Sequence, residues 1–142
     1  MINSYAVVGR LILAVLLGGL IGFEREVRGH SAGLRTHILV SLGSCLIMLT
    51  SLYVFDIYRD SASVDPARIA AGVITGIGFL GAGAIIRSGE AVRGLTTAAG
   101  LWLVAGIGLA VGSGFYLPSF VTALLAIIVL YFLSYLERVI KD

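Results

Sequence analysis

The feature that most constrains this chain is a succession of long, nearly uncharged apolar runs separated by short charged connections. A helix needs about 20 apolar residues to cross the ~30 Å hydrocarbon core of a bilayer. Five segments reach or approach that length: Tyr5 to Phe23, Leu34 to Phe55, Pro66 to Ile86, Leu95 to Gly114 and Leu117 to Leu136. These runs are continuous where a barrel strand would alternate every second residue, so helices are expected and strands are not. Composition agrees, with 58% hydrophobic and 13% charged residues, against roughly 25% charged in a soluble domain. The fold class expected is all-α: one polytopic membrane bundle of five transmembrane helices over residues 1–142.

Charge and cysteine usage exclude several classes of function. A net charge of +2 with dispersed arginines lacks the clustered basic stripe of a nucleic-acid surface. One cysteine, Cys45, rules out an internal disulfide and a cysteine-based metal site. The start Met1-Ile2-Asn3-Ser4 lacks the basic region of a signal peptide, so the first run is expected to remain as a span. No serine or cysteine nucleophile with a histidine base is identifiable, and the chain is not expected to be an enzyme. His30 and His37 are expected at a surface or an interface, since neither has the partners of a zinc motif.

Orientation follows from the basic residues, which cytoplasmic loops retain in excess. Arg25, Arg28 and Arg35, then Arg87 and Arg93, then Arg138 and Lys141 fall on one side. The other side holds Arg59 and Arg68, offset by Asp56, Asp60 and Asp65. The N-terminus is therefore expected outside and the C-terminus in the cytoplasm.

Glycines supply the packing signal. Gly18 and Gly22, Gly72 and Gly76, and Gly108 and Gly112 are paired at four-residue spacing, and Gly78, Gly81 and Gly83 add to the third run. Because apolar burial gives little in lipid, helices associate through close packing and hydrogen bonds, which small residues permit. These nine glycines are expected at helix contacts, either within the monomer or along a homodimer seam. Ser41, Ser44, Thr50 and Ser51 dot the second run with groups able to bond across helices. A weak repeat also appears, since Gly33-Leu34-Arg35-Thr36 and Gly94-Leu95-Thr96-Thr97 hold equivalent places at helix starts. Two parallel helical hairpins plus a fifth helix would follow.

Few residues could carry chemistry. Arg10 stands 13 uncharged residues before Glu24, about 20 Å along a helix. An arginine inside the bilayer is costly; it would snorkel to outer headgroups, pair with Asp56 or Asp65, or meet helix carbonyls. Glu24 and Glu26 lie at a helix C-terminus, where the partial negative charge disfavours them but suits Arg25 and Arg28. Arg35 or Arg93 could neutralise them in an interfacial network, or the two carboxylates could bind a cation such as magnesium. Thr36, Thr96 and Thr97 are expected to cap helix N-termini. With Gly33, Arg35 and Arg93 nearby, those termini could instead hold an anion. Asp65 and Pro66 read as cap and first turn of a helix, with Arg68 placed to pair with Asp65.

The run from Arg10 to Ala14 leading into GGLIGFERE at Gly18 to Glu26, and AGLRTHILVSLGS from Ala32 to Ser44, resemble the MgtC/SapB membrane proteins. ARIAAGVITGIGFLGAGAII from Ala67 to Ile86 and RGLTTAAGLW from Arg93 to Trp102 do so too. The resemblance implies a multi-pass protein of the bacterial inner membrane, related to proteins associated with magnesium limitation, virulence and survival inside host cells. Some such relatives act on other membrane machinery, the ATP synthase included, and many carry a soluble domain after the last span. This chain is expected to be the membrane domain without it. Gly72 stands where relatives often have glutamine. Two functions are expected: a regulator or scaffold that binds another integral protein, which is preferred, or a transporter of magnesium, protons or an anion such as phosphate through Arg10, Glu24, Arg25 and Arg35. The partners expected are the bilayer, a second copy of the chain in a dimer, and another integral protein. No resident cofactor is expected beyond a magnesium ion.

Overall fold

The computed structural model describes residues 2–60, 63–89 and 91–141, with side chains through Phe132. The chain runs α1 (Ser4–Val27), α2 (Leu34–Tyr58), α3 (Pro66–Ala84), β1 (Ile86–Ser88), β2 (Ala91–Arg93), α4 (Leu95–Ser113) and α5 (Tyr116–Lys141). The first four helices are long and apolar enough to cross a membrane. At 1.5 Å per residue they are about 28 to 38 Å long. In α5 the described apolar stretch is Tyr116–Phe132, and the side chains that would complete the fifth expected span lie outside the described residues.

The all-α expectation holds for the body of the chain, with one departure. Ile86, expected to end the third span, begins an antiparallel hairpin in which Ile86 faces Arg93, Arg87 faces Val92 and Ser88 faces Ala91. The cause is local. β-branched Ile85, Ile86 and Val92 favour extended backbone, Ile85 already has it, and Gly89 takes a positive φ at the turn. Gly94 closes the base of the hairpin against the Ala84 carbonyl, where no Cβ would fit. The hairpin end of the bundle therefore gathers the C-termini of α1 and α3 and the N-termini of α2 and α4.

α2 is the central helix, and glycines set its distance from both neighbours. A Cβ on Gly18 would lie 2.7 Å from the Ser41 Cβ, and one on Gly22 would lie 2.9 Å from both the His37 Cβ and the Leu34 Cα. On the α4 side, Gly108 meets the Ser41 carbonyl, and a Cβ on Gly112 would lie 2.7 Å from the Cys45 carbonyl. Backbones approach this closely only where side chains are absent. Ala14, Leu17 and Ile21 of α1 pack with Cys45 and Leu49 of α2, with Val104, Ile107 and Val111 of α4, and with Ala123 and Ala126 of α5.

α3 is attached differently. It buries only Ala70, Ile77 and Gly81. Gly81 approaches Ala98 of α4 at 3.6 Å, ordinary contact distance, while Gly72, Gly76, Gly78 and Gly83 face open space. All five were expected at helix contacts, within the monomer or along a homodimer seam; within the chain, contact forms at Gly81. Gly72 and Gly76 share the four-residue spacing but line an open groove beside α2 instead of pressing on its backbone.

Candidate functional site

Glu24, Arg25, Glu26 and Arg28 gather at the hairpin end, where α1 stops and α2 begins. α1 ends in a Schellman motif: Gly29 at φ 70° donates its N–H to the Glu26 carbonyl at 3.0 Å, and His30 donates to the Arg25 carbonyl at 3.1 Å. A left-handed glycine lets the chain turn while retiring two carbonyls that the helix cannot satisfy. The turn brings the chain back so that Glu26 Oε2 accepts from the Leu34 N–H at 2.9 Å. Gly33 makes this approach feasible, since a Cβ there would collide with the Glu26 carboxylate.

Glu26 is thus the N-terminal cap of α2, a helix whose own cap residue, Gly33, offers no side chain. Positive potential at the helix N-terminus favours the carboxylate. At the Gly33 end of α2, where an anion was expected as one alternative, the structure places the protein's own Glu26 carboxylate. Capping by threonine does not occur: Thr36 and Thr97 sit at the third positions of α2 and α4, behind Gly33 and Gly94, and neither helix has a side-chain cap from its cap residue. Thr96 is exposed and Thr97 is buried.

Glu24 is neutralised from its own helix. Arg28 Nε lies 2.6 Å from Glu24 Oε1, and Arg25 Nη1 lies 3.4 Å from Glu24 Oε2. The first contact is an ion pair without hydrogen-bond alignment, which leaves Oε1 without a hydrogen bond. Arg28 also covers the Tyr131 ring at 5.0 Å, tying α1 to α5. The expected partners Arg35 and Arg93 are exposed and pair with neither glutamate among the described residues. Two carboxylates do not converge on a cation either. Glu24 and Glu26 point to different partners, and no three His, Cys, Asp or Glu side chains cluster among the described residues. The loop histidine His30 has its imidazole pKa lowered, first by partial desolvation and then by the Arg25 charge.

Arg25 is the costly residue of this end. The residue is 3% exposed, and beyond Glu24 its Nε and Nη2 have no hydrogen-bond partner among the described residues. Leaving a buried donor unsatisfied costs about 1–3 kcal/mol, more for a charged group. His37 continues the polar line into the bundle at 0% exposure. Its Nδ1 lies 2.9 Å from the Gly33 carbonyl, so that nitrogen carries the proton, and Nε2 faces Gly100 of α4 without a partner. Ser41 and Ser44 are buried on the same helix; of the cross-helix bonds expected, Ser51 makes one, to the Pro66 carbonyl, while Ser41 Oγ has no partner among the described residues and Thr50 bonds the Leu46 carbonyl of its own helix. His37 was expected at a surface or an interface, and it lies buried between α1 and α4. The usable signal was His37 and Ser41 one turn apart, opposite Gly18 and Gly22.

At the other end of the bundle, Arg10 meets helix carbonyls, one of its expected alternatives. Nη1 donates to the Gly112 carbonyl at 2.7 Å, and Nε to the Tyr116 hydroxyl at 2.9 Å. α4 stops in a second Schellman motif, Gly114 donating to Val111 at 3.0 Å and Phe115 to Ala110 at 2.8 Å, and Arg10 takes the next orphan carbonyl. A cation at a helix C-terminus is favourable. Among the described residues Arg10 forms no ion pair with Asp56 or Asp65. Asp56 lies 3.5 Å from Arg59, and Asp65 caps α3 by accepting from the Ala67 N–H at 2.8 Å. Pro66 stands at the first helical position as expected, but Arg68 forms no ion pair with Asp65 among the described residues.

Helices of membrane-spanning length joined by capped, charge-locked ends define an all-helical membrane protein. The chain belongs to the MgtC family, whose family model matches residues 11–139. It is 54% identical over 79 residues to YhiD of Escherichia coli strain K12, a protein whose name provisionally describes a magnesium transporter; the match covers 54% of this chain and 37% of YhiD. It is 46% identical over 82 residues to MgtC of Salmonella typhimurium, covering 58% of this chain and 32% of that protein. To MgtC of Brucella abortus it is 49% identical over 76 residues, covering 54% of this chain and 29% of the relative. The chain thus matches about a third of the length of these relatives. No solved structure matches it significantly.

Proposed function

We propose that this domain is a regulator or scaffold of other machinery in the bacterial inner membrane, with α3 as the helix that meets an integral partner protein. The observation that carries the reading is the contrast on α3 between a narrow buried stripe and an outer surface, beside the α2–α3 groove, that bears Gly78 and Phe79, the latter 83% exposed. Small residues beside a protruding aromatic ring suit close approach by a second helix. Glu24, Glu26, Arg28 and Arg10, meanwhile, are engaged in capping and ion pairing, which supports a structural role for them over an ion pathway.

The reading includes five spans with the hairpin end in the cytoplasm, since Arg25, Arg28, Arg35, Arg87 and Arg93 collect there. Gly33 and Gly94 at the starts of α2 and α4 support the parallel repeat of two hairpins. A homodimer, a role under magnesium limitation and the absence of enzymatic activity complete the proposal. The name of YhiD favours a second reading, transport of an ion.

Flux of magnesium, protons and phosphate into sealed liposomes separates the two. No flux is expected from folded, inserted protein, and a photo-crosslinking residue at Phe79 is expected to capture an integral partner where one at Val104 in the interior does not. Saturable flux that is lost in Glu24→Gln would overturn the regulator.

A further inference from the structure

Between α2 and α3 lies a groove of about 760 Å³, lined from Thr36 to Ile47 on α2 and from Ile69 to Leu80 on α3. Gly43, Gly72 and Gly76 line it with nothing within 4 Å of where a Cβ would stand. Its walls are apolar except for Thr36 and Ser44. Twelve helical residues extend about 18 Å, close to the ~15 Å depth of one leaflet. Toward the far end of the bundle α2 and α3 meet, where the Ser51 hydroxyl donates to the Pro66 carbonyl. Toward the hairpin end the groove finishes at Thr36 and Leu80. A full transmembrane helix would outrun such a slot, whereas a single acyl chain entering from the hairpin side matches its length.

The charges at that end select the headgroup. Arg35 immediately precedes Thr36 on α2, and Arg87 and Arg93 lie on the hairpin just beyond α3; all three are exposed. None forms an ion pair among the described residues, in contrast to Arg28, and Arg87 Nε donates to the Gly89 carbonyl at 3.3 Å. Basic side chains beside a membrane attract anionic lipid, and a phosphate diester is the natural acceptor for arginine donors. We propose that the α2–α3 groove binds one anionic phospholipid, an acyl chain between Gly43 and Gly76 and the phosphate held by the arginines of the hairpin end.

Native mass spectrometry of the purified protein, titrated with phosphatidylglycerol and with phosphatidylcholine of the same chains, tests this. The expected result is one tightly held phosphatidylglycerol, at least tenfold preferred over phosphatidylcholine. Gly76→Leu, which fills the groove, is expected to lose that adduct while keeping helix content; if that variant misfolds, Gly43→Leu on the opposite wall gives the same reading. The double variant Arg35→Ala with Arg93→Ala is expected to erase the headgroup preference and retain chain binding. Equal retention of both lipids by the parent, or an undiminished adduct in the filled-groove variant, overturns the proposal. So does disulfide capture of a second copy through Gly76→Cys in phosphatidylglycerol vesicles, which would make the groove a dimer seam.

Discussion

The glycines of α1 and α4 and those of α3 follow the same four-residue spacing, yet they do opposite things. Gly18, Gly22, Gly108 and Gly112 press against the α2 backbone or its Cβ atoms, whereas Gly72 and Gly76 face open space. Glycine spacing therefore marks a surface that allows close approach, and the partner can be inside or outside the molecule. The difference lies in what stands opposite: α2 is gripped from both sides, and α3 is held along one stripe.

Substitution at the two kinds of glycine gives the largest effect that can break this comparison. Gly108→Ala places a methyl group against the Ser41 carbonyl, where backbone cannot give way. A loss of at least about 3 kcal/mol, the upper end for overpacking, is expected in denaturant unfolding from micelles. Gly76→Ala enters open space on a helix and is expected to be neutral or slightly stabilising. Equal destabilisation by both would mean that α3 is as tightly seated as the central seam.

Arg10→Ala comes next. It strips the Gly112 carbonyl of its donor and frees Tyr116, so a loss of about 1.5–3 kcal/mol is expected, the range for a hydrogen bond to a charged group. Arg59→Ala, on an exposed pair, should cost far less. Thermal unfolding of the two variants side by side reads the difference, and matching midpoints would refute a structural role for Arg10.

A smaller effect is expected at the other end of the bundle. Glu26→Ala uncaps α2 and should cost about 0.5–2 kcal/mol, whereas Glu26→Gln, which retains an acceptor, should recover part of it. If the two variants are alike, the charge at the helix N-terminus matters more than the hydrogen bond.

The smallest is a pH effect at His30. Because the folded state lowers its pKa from the ordinary 6.5, the unfolded chain takes up the proton more readily. Stability should be intact above that value and decline slightly as pH falls below it, and His30→Gln should flatten that slope. A decline unchanged in the variant would assign it to another group.

The apolar runs located the helices to within a few residues, because a chain in lipid must satisfy its backbone within each segment. Asp65 and Pro66 marked the start of α3, since capping is chemistry between near neighbours. The third connection differed in kind: β-branched residues around Gly89 make a hairpin out of what looked like the end of a span.

Sequence by itself determined the class of fold, the approximate span boundaries, the family and the residues worth watching. The tertiary structure decided their partners: Glu26 with the α2 N-terminus, Arg10 with Gly112 and Tyr116, His37 between α1 and α4, and α3 left open. Local rules act over one or two helical turns and can be read along the chain. Which carboxylate meets which donor, and which glycine face meets a helix, depends on how whole helices cross, and no short window of residues contains that.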